Sequence, residues 1–279
     1  MLDRFYKQFQ SYETDIEKNI FLNQLKQHNE TIFYMLASAH LDEMMPIVYT
    51  PTIGDAVKQF SFQFNQPVGL FLSYEYQDHL DDIFDQVQMD AVDIALITDG
   101  EGVLGIGDWG TGGIDISIGK LMVYTLCGGI DPSRVLPIQL DVGTNNKALI
   151  DDPMYLGWRH ERVTGDDYDA FIDKVVTAIL KRFPKVYIHW EDFGRGNAHR
   201  VLNHYRKKHT SFNDDIQGTA SVVLAGFISS LPLVFPEHAQ SNRIQIDVSD
   251  LADFREGAKP PSSPTLVEIL SFSKFFFKF

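Results

Sequence analysis

The sequence predicts an α/β fold, with a helical amino-terminal module followed by a parallel α/β domain. Three observations predict it. Apolar residues recur at three- and four-residue steps near the amino end, short β-rich runs dominate after about residue 66, and segments with helical spacing lie between those runs.

The helical module is placed at residues 1–65. From about Tyr12 to Ala39, Ile16, Ile20, Phe21, Leu25, Ile32, Phe33 and Leu36 recur with helical periodicity. Pro46 and Pro51 bracket Val48–Tyr49–Thr50, and a second helical pattern runs from Ile53 through Ala56 and Val57 to Phe60. Residues 66–210 carry the runs VGLFLS, AVDIALIT, VLPIQLDV and KVYIHW, with the helical segment YDAFIDKVVTAILKRF before the last. Alternating strands and helices imply a parallel sheet covered on both faces. The polar turns that end the runs, TDGEG, DVGTNN and EDFGRGN, are where a ligand should collect, because open α/β sheets bind beyond the carboxyl ends of their strands. Ala220 to Phe235 reads as a buried helix with a break at Ser229, Ser230 and Pro232. Residues 255–264, REGAKPPSSP, read as a loop before the apolar end LSFSKFFFKF.

Composition narrows the function. With 44% hydrophobic residues the chain can bury a sizeable core, so disorder is not expected. The net charge is −14 and no basic run is available to neutralise a row of phosphates, which argues against nucleic acid as a partner. Cys127 is the only cysteine, so an intrachain disulfide and a thiolate metal cluster are both excluded. The amino end lacks the apolar core of a secretory signal, and no apolar stretch is long enough to span a bilayer. A cytoplasmic protein without a membrane partner is expected.

Three constellations carry chemical interest. Glu191, Asp192 and Asp215 are carboxylates from two turns, suitable ligands for a hard cation such as Mg²⁺ or Mn²⁺. Adjacent strand residues face opposite ways, so Glu191 and Asp192 can share an ion only if the strand has already turned, as Phe193 and Gly194 would allow. Against this, Asn213, Asp214 and Asp215 precede the helical stretch IQGTASVVLAGF, where capping of free N–H groups is the commoner use of such residues. GIGDWG, residues 105–110, satisfies G-x-G-x-x-G, but TDGEGVL separates it from the preceding strand and TGGIDISIG, rich in glycine and β-branched residues, follows it. A glycine-rich turn at a substrate pocket is expected rather than a dinucleotide fingerprint. Lys120 and Tyr49 form an amine and phenol pair that can serve as base and acid, provided that burial or a nearby cation depresses the lysine. An exposed helix lysine and a half-buried tyrosine are the ordinary places for these residues.

Taken together, VYTPTIG, ITDGEGVLGIGDWG, GKLMVYTLCGGIDPSRVLPIQLDVGTNN, DDPMYLGWR, HWEDFGRGNA and TSFNDDIQGTAS, in this order from about residue 15 to residue 231, resemble the malic enzyme family. The resemblance implies that Glu191, Asp192 and Asp215 hold Mn²⁺ or Mg²⁺, that Lys120 takes the proton of the malate C2 hydroxyl, and that Tyr49 protonates the enol carbon after CO₂ leaves. It also implies NAD as cofactor, L-malate as substrate and a dimer or tetramer. Where the family reads DGER, with an arginine for the substrate carboxylate, this chain has Gly102. The combination of DGEG, GIGDWG and HWEDFGR resembles the malolactic branch, which yields L-lactate and CO₂, and that activity is expected ahead of oxidative decarboxylation to pyruvate. Residues 211–279 then correspond to the truncated start of a Rossmann-like NAD-binding domain. After Gly218 only Gly226 and Gly257 remain, so no dinucleotide fingerprint can be built there, the cofactor-binding residues stay unknown, and a truncated gene or a catalytically silent fragment is a further expectation.

Overall fold

The computed structural model describes residues 1–63 and 68–234. The expected loop at 255–264 and the apolar end of the chain lie outside the described residues. The chain divides into two units after Asp214.

The first unit opens with helices α1 (Leu2–Gln10), α2 (Asp15–His28), α3 (Glu30–Ala39), α4 (Leu41–Val48) and α5 (Ile53–Gln59). The helical periodicity from Tyr12 to Ala39 belongs to two helices, α2 and α3. Thr14 starts α2 with a reciprocal capping box to Glu17, and the Asn29 side chain accepts the Ile32 N–H at 3.0 Å, ending one helix and starting the next. Pro46 does not bracket a loop either, but lies inside α4.

A five-stranded, wholly parallel sheet follows, in the order β1 (Leu70–Ser73), β3 (Val135–Asp141), β2 (Ile94–Thr98), β4 (Tyr187–Glu191) and β5 (Ser211–Asn213). β2 is buried along its whole length, as a parallel strand covered on both faces must be. The connections carry α6 (Leu80–Asp85), α7 (Ile114–Gly128), α8 (Lys147–Asp151), α9 (Gly165–Arg182) and α10 (Arg195–Tyr205). β5 has only three residues, too few to show an alternating pattern, and was not among the predicted strands.

α7 forms where TGGIDISIG argued against a helix. Burial of Ile114, Ile116, Leu121 and Met122 outweighs the weak propensity of that segment, since each such side chain contributes about 1.5–3 kcal/mol on leaving water. The same helix joins the two parts of the unit. Met122 belongs to the apolar cluster of Phe9, Leu22, Phe33, Leu36 and Met44, whereas Leu121 packs with Ile94 and Leu96 of β2. α7 thereby joins the helical module to the sheet, and the same helix carries Lys120.

The second unit begins with Asp215. Its described part ends in α11 (Thr219–Val234), which runs across Pro232 rather than breaking at Ser229 to Pro232. It is not a buried helix: Val222 is 66% exposed and Ile228 is exposed as well. No helix among the described residues is long and apolar enough to cross a membrane.

Candidate metal centre

The strand register builds the centre. Thr98 of β2 lies beside Glu191 of β4, and Trp190 lies beside Asn213 of β5. Asp214, the next residue in the chain, is thus brought level with Glu191. Lys120 reaches both from α7: its Nζ donates to Glu191 Oε1 and, at 2.6 Å, to Asp214 Oδ2. Tyr49, just past the end of α4, places its ring centroid 5.9 Å from the same Nζ. Gly119 permits this approach, because a Cβ there would meet Val48 O at 2.9 Å and the Tyr49 ring at 3.1 Å. The amine, the phenol and one predicted ligand therefore meet at the carboxyl end of the sheet.

The strand does turn between Glu191 and Asp192, one residue earlier than expected. Asp192 adopts φ 55°, a left-handed conformation that aspartate tolerates better than most residues. Its carboxylate Oδ1 accepts the Leu104 N–H at 3.1 Å and its carbonyl accepts the Gly102 N–H at 2.9 Å. The DGEG turn is thereby tied to the turn that follows β4. Gly102 sits so close that a Cβ would meet Phe193 O at 2.7 Å.

Two residues of the centre escaped the sequence reading. His189 is fully buried on β4, with Nε2 3.0 Å from Glu191 Oε2 and Nδ1 2.8 Å from the Tyr124 hydroxyl. The signals were present: His189 precedes Glu191 by two residues, on the same face of a strand, and Tyr124 follows Lys120 by one helical turn. Asp214 was weighed only as a cap, and its carboxylate instead takes the Lys120 ammonium.

The electrostatics are those of buried charge sharing one ammonium. Burial works to lower the Lys120 amine, but Glu191, Tyr49 and Asp214 outweigh it and hold the amine above its ordinary range. Burial alone therefore does not depress the lysine, because two carboxylates favour its charged form. Burial raises the Tyr49 phenol, partly offset by Lys120, so that Tyr49 keeps its proton. Burial likewise pushes Tyr124 up to about 12, which keeps it an O–H donor.

His189, Glu191 and Asp214 each offer one ligand atom, all within 4.8 Å of one another. Two carboxylates sharing one ammonium form a donor set that suits a divalent cation. Asp192 supplies another buried carboxylate at the same turn. Asp215 is the first residue of the second unit, directly after Asp214 in the chain.

The glycine-rich segment is a turn closed on itself by a Val103–Gly107 bridge, with α7 starting only at Ile114. That shape does not fit a dinucleotide loop, whose glycines open directly into a helix. Its charged residue is structural: Asp108 accepts Arg162 Nε at 2.6 Å, Arg162 Nη2 at 2.8 Å, Thr144 Oγ1 at 2.8 Å and the Asn145 N–H at 2.8 Å. Arg162 also donates to the Asp99 carbonyl at 2.9 Å.

A family model described as "Malic enzyme, N-terminal domain" matches residues 26–206. The NAD-dependent malic enzyme of Idiomarina loihiensis is 49% identical over 228 residues, covering 82% of this chain and 41% of that relative. The NAD-dependent malic enzyme of Pectobacterium carotovorum subsp. carotovorum is 48% identical over 228 residues, covering 82% of this chain and 40% of its own length. The chain thus spans about two fifths of the length of these relatives.

Proposed function

The chain belongs to the malic enzyme family, and from that membership we propose that it carries the decarboxylating half of a metal-dependent enzyme acting on L-malate. One observation carries the reading: Lys120, with the Tyr49 ring 5.9 Å from its amine, is held between Glu191 and Asp214 at the carboxyl ends of adjacent strands. Glu191, Asp192 and Asp215 are the proposed ligands of Mn²⁺ or Mg²⁺. When bound, the ion supplies a Lewis acid for the malate C2 oxygen and carboxylate, and a positive charge beside Lys120 that favours its free amine. Lys120 Nζ is the group placed to take the C2 hydroxyl proton. Tyr49, kept protonated by burial, is the donor to the carbon left by CO₂.

NAD as hydride acceptor comes into this reading from the names of the relatives alone. The same names favour pyruvate as the product. L-lactate is the second reading, favoured by Gly102, whose packing against Phe193 leaves no room for the side chain of an arginine. Self-association into a dimer or tetramer belongs to the same proposal.

Oxaloacetate tests the decarboxylating step without a hydride, since loss of CO₂ from a β-keto acid needs only the cation and a proton donor. Mn²⁺-dependent CO₂ release from oxaloacetate by the full chain is expected. Asp215→Asn should weaken Mn²⁺ binding about tenfold or more with little change in the unfolding midpoint. Unaltered Mn²⁺ affinity would return Asp215 to a capping role. Product analysis with L-malate, NAD and Mn²⁺ separates pyruvate with NADH from lactate.

A further inference from the structure

His189 is a polar side chain in a fully buried position beside aromatic rings. Its ring lies edge-on to Phe212 at 5.5 Å and to Tyr124 at 5.7 Å. Placing an imidazole there costs desolvation unless both nitrogens find partners. Both do, and one partner is a proposed metal ligand. We propose that Tyr124 and His189 form a hydrogen-bonded pair that orients the Glu191 carboxylate for the cation, which makes His189 a positioning residue of the metal centre. The inference rests on the metal reading given under Proposed function.

The donor directions admit one arrangement of a neutral imidazole. An ionised carboxylate only accepts, so His189 Nε2, at 3.0 Å from Glu191 Oε2, carries the hydrogen. Nδ1 is then the acceptor and takes the Tyr124 O–H at 2.8 Å. The tyrosine thus sets the tautomer, and the tautomer sets the bond to Glu191. With Oε1 facing Lys120 and Oε2 facing His189, the carboxylate is fixed at both oxygens, each of which keeps a lone pair for an ion. Adjacent rings of Phe212 and Tyr124 restrict rotation of the imidazole, so the constraint passes to Glu191 rather than being lost in ring motion. A histidine that merely fills the core would leave Mn²⁺ affinity untouched when exchanged for phenylalanine.

The test is Mn²⁺ titration of the full chain, followed by electron paramagnetic resonance of the free ion, with urea unfolding run in parallel. His189→Phe keeps the ring and removes both hydrogen bonds. It should raise the Mn²⁺ dissociation constant about ten- to a hundredfold, as loss of outer-shell partners commonly does. His189→Gln offers an amide donor and an acceptor, and should recover most of that loss. Tyr124→Phe should weaken binding several-fold, and it decides the question if His189→Phe does not fold. Wild-type affinity in His189→Phe, or in Tyr124→Phe where that variant decides, overturns the proposal while Asp215→Asn still reports on the metal reading. Absence of Mn²⁺ binding by the wild-type chain overturns the metal reading itself, and the positioning role with it.

Discussion

Two buried ion clusters sit at the carboxyl end of this sheet, and they differ in what their cation does. Arg162 is 2% exposed in its side chain and donates to Asp108 and to the Asp99 backbone, while Asp108 is further satisfied by Thr144 and by backbone N–H groups. Burial raises Asp108, but the hydrogen bonds and charge of Arg162 overcome it and hold the carboxyl below the usual range. Lys120 in the other cluster is a single ammonium between Glu191 and Asp214, and the Asp214 side chain is 40% exposed. The first cluster is a closed fork with geometric specificity, and the second is a point charge at an open edge. A closed cluster ties turns together. In the open one, on the reading proposed above, a divalent ion would share a carboxylate with the ammonium.

Lys120→Met breaks or sharpens that contrast most strongly. On the acid–base role proposed for Lys120, its loss should lower Mn²⁺-dependent CO₂ release from oxaloacetate by about 10²–10⁴-fold. Without added metal, Glu191 and Asp214 lose the ammonium they share and the folded state weakens. Mn²⁺ should restore its unfolding midpoint, because an ion takes over the role of the ammonium. Arg162→Met should cost about 3–5 kcal/mol, the usual consequence of leaving buried carboxylates without their cation. Here no divalent ion should help, since the guanidinium fork has no metal equivalent. Equal Mn²⁺ rescue of both variants in urea unfolding would remove the distinction between the clusters.

The same contrast explains what the sequence made legible. Four of the five strands announced themselves as runs of apolar and β-branched residues, while β5, Ser211–Asn213, is too short to do so. Glu191, Asp192, Asp215, Lys120 and Tyr49 were named because their motifs resemble a family, not because spacing singled them out. What spacing cannot give is pairing across the sheet. Lys120 and Asp214 are 94 residues apart in the chain, and Tyr124 and His189 are 65 apart. Asp108 shows the opposite hazard: it stands in a glycine-rich motif that invites a cofactor, yet its hydrogen bonds hold turns together.

A carboxylate on α7 with no ion pair among the described residues gives the smallest effect. Asp115 lies in the first turn of the helix, beside a cavity of about 660 Å³ that Asn19, Phe71 and Trp158 also line. Burial alone pushes its carboxyl up to about 7. In an unfolded chain the same group titrates near 3.9, so across the window between these values the native state retains a proton that the unfolded state has released. Stability therefore falls as pH rises through that window and is level above it. Asp115→Asn removes the charge, flattens this slope, and should gain about 1–2 kcal/mol at pH 8 relative to pH 5, since the carboxyl keeps some contact with solvent. Urea unfolding of both proteins at the two pH values measures it. An unchanged slope in Asp115→Asn would mean that Asp115 is solvated after all, and that an uncompensated carboxylate on α7 costs nothing.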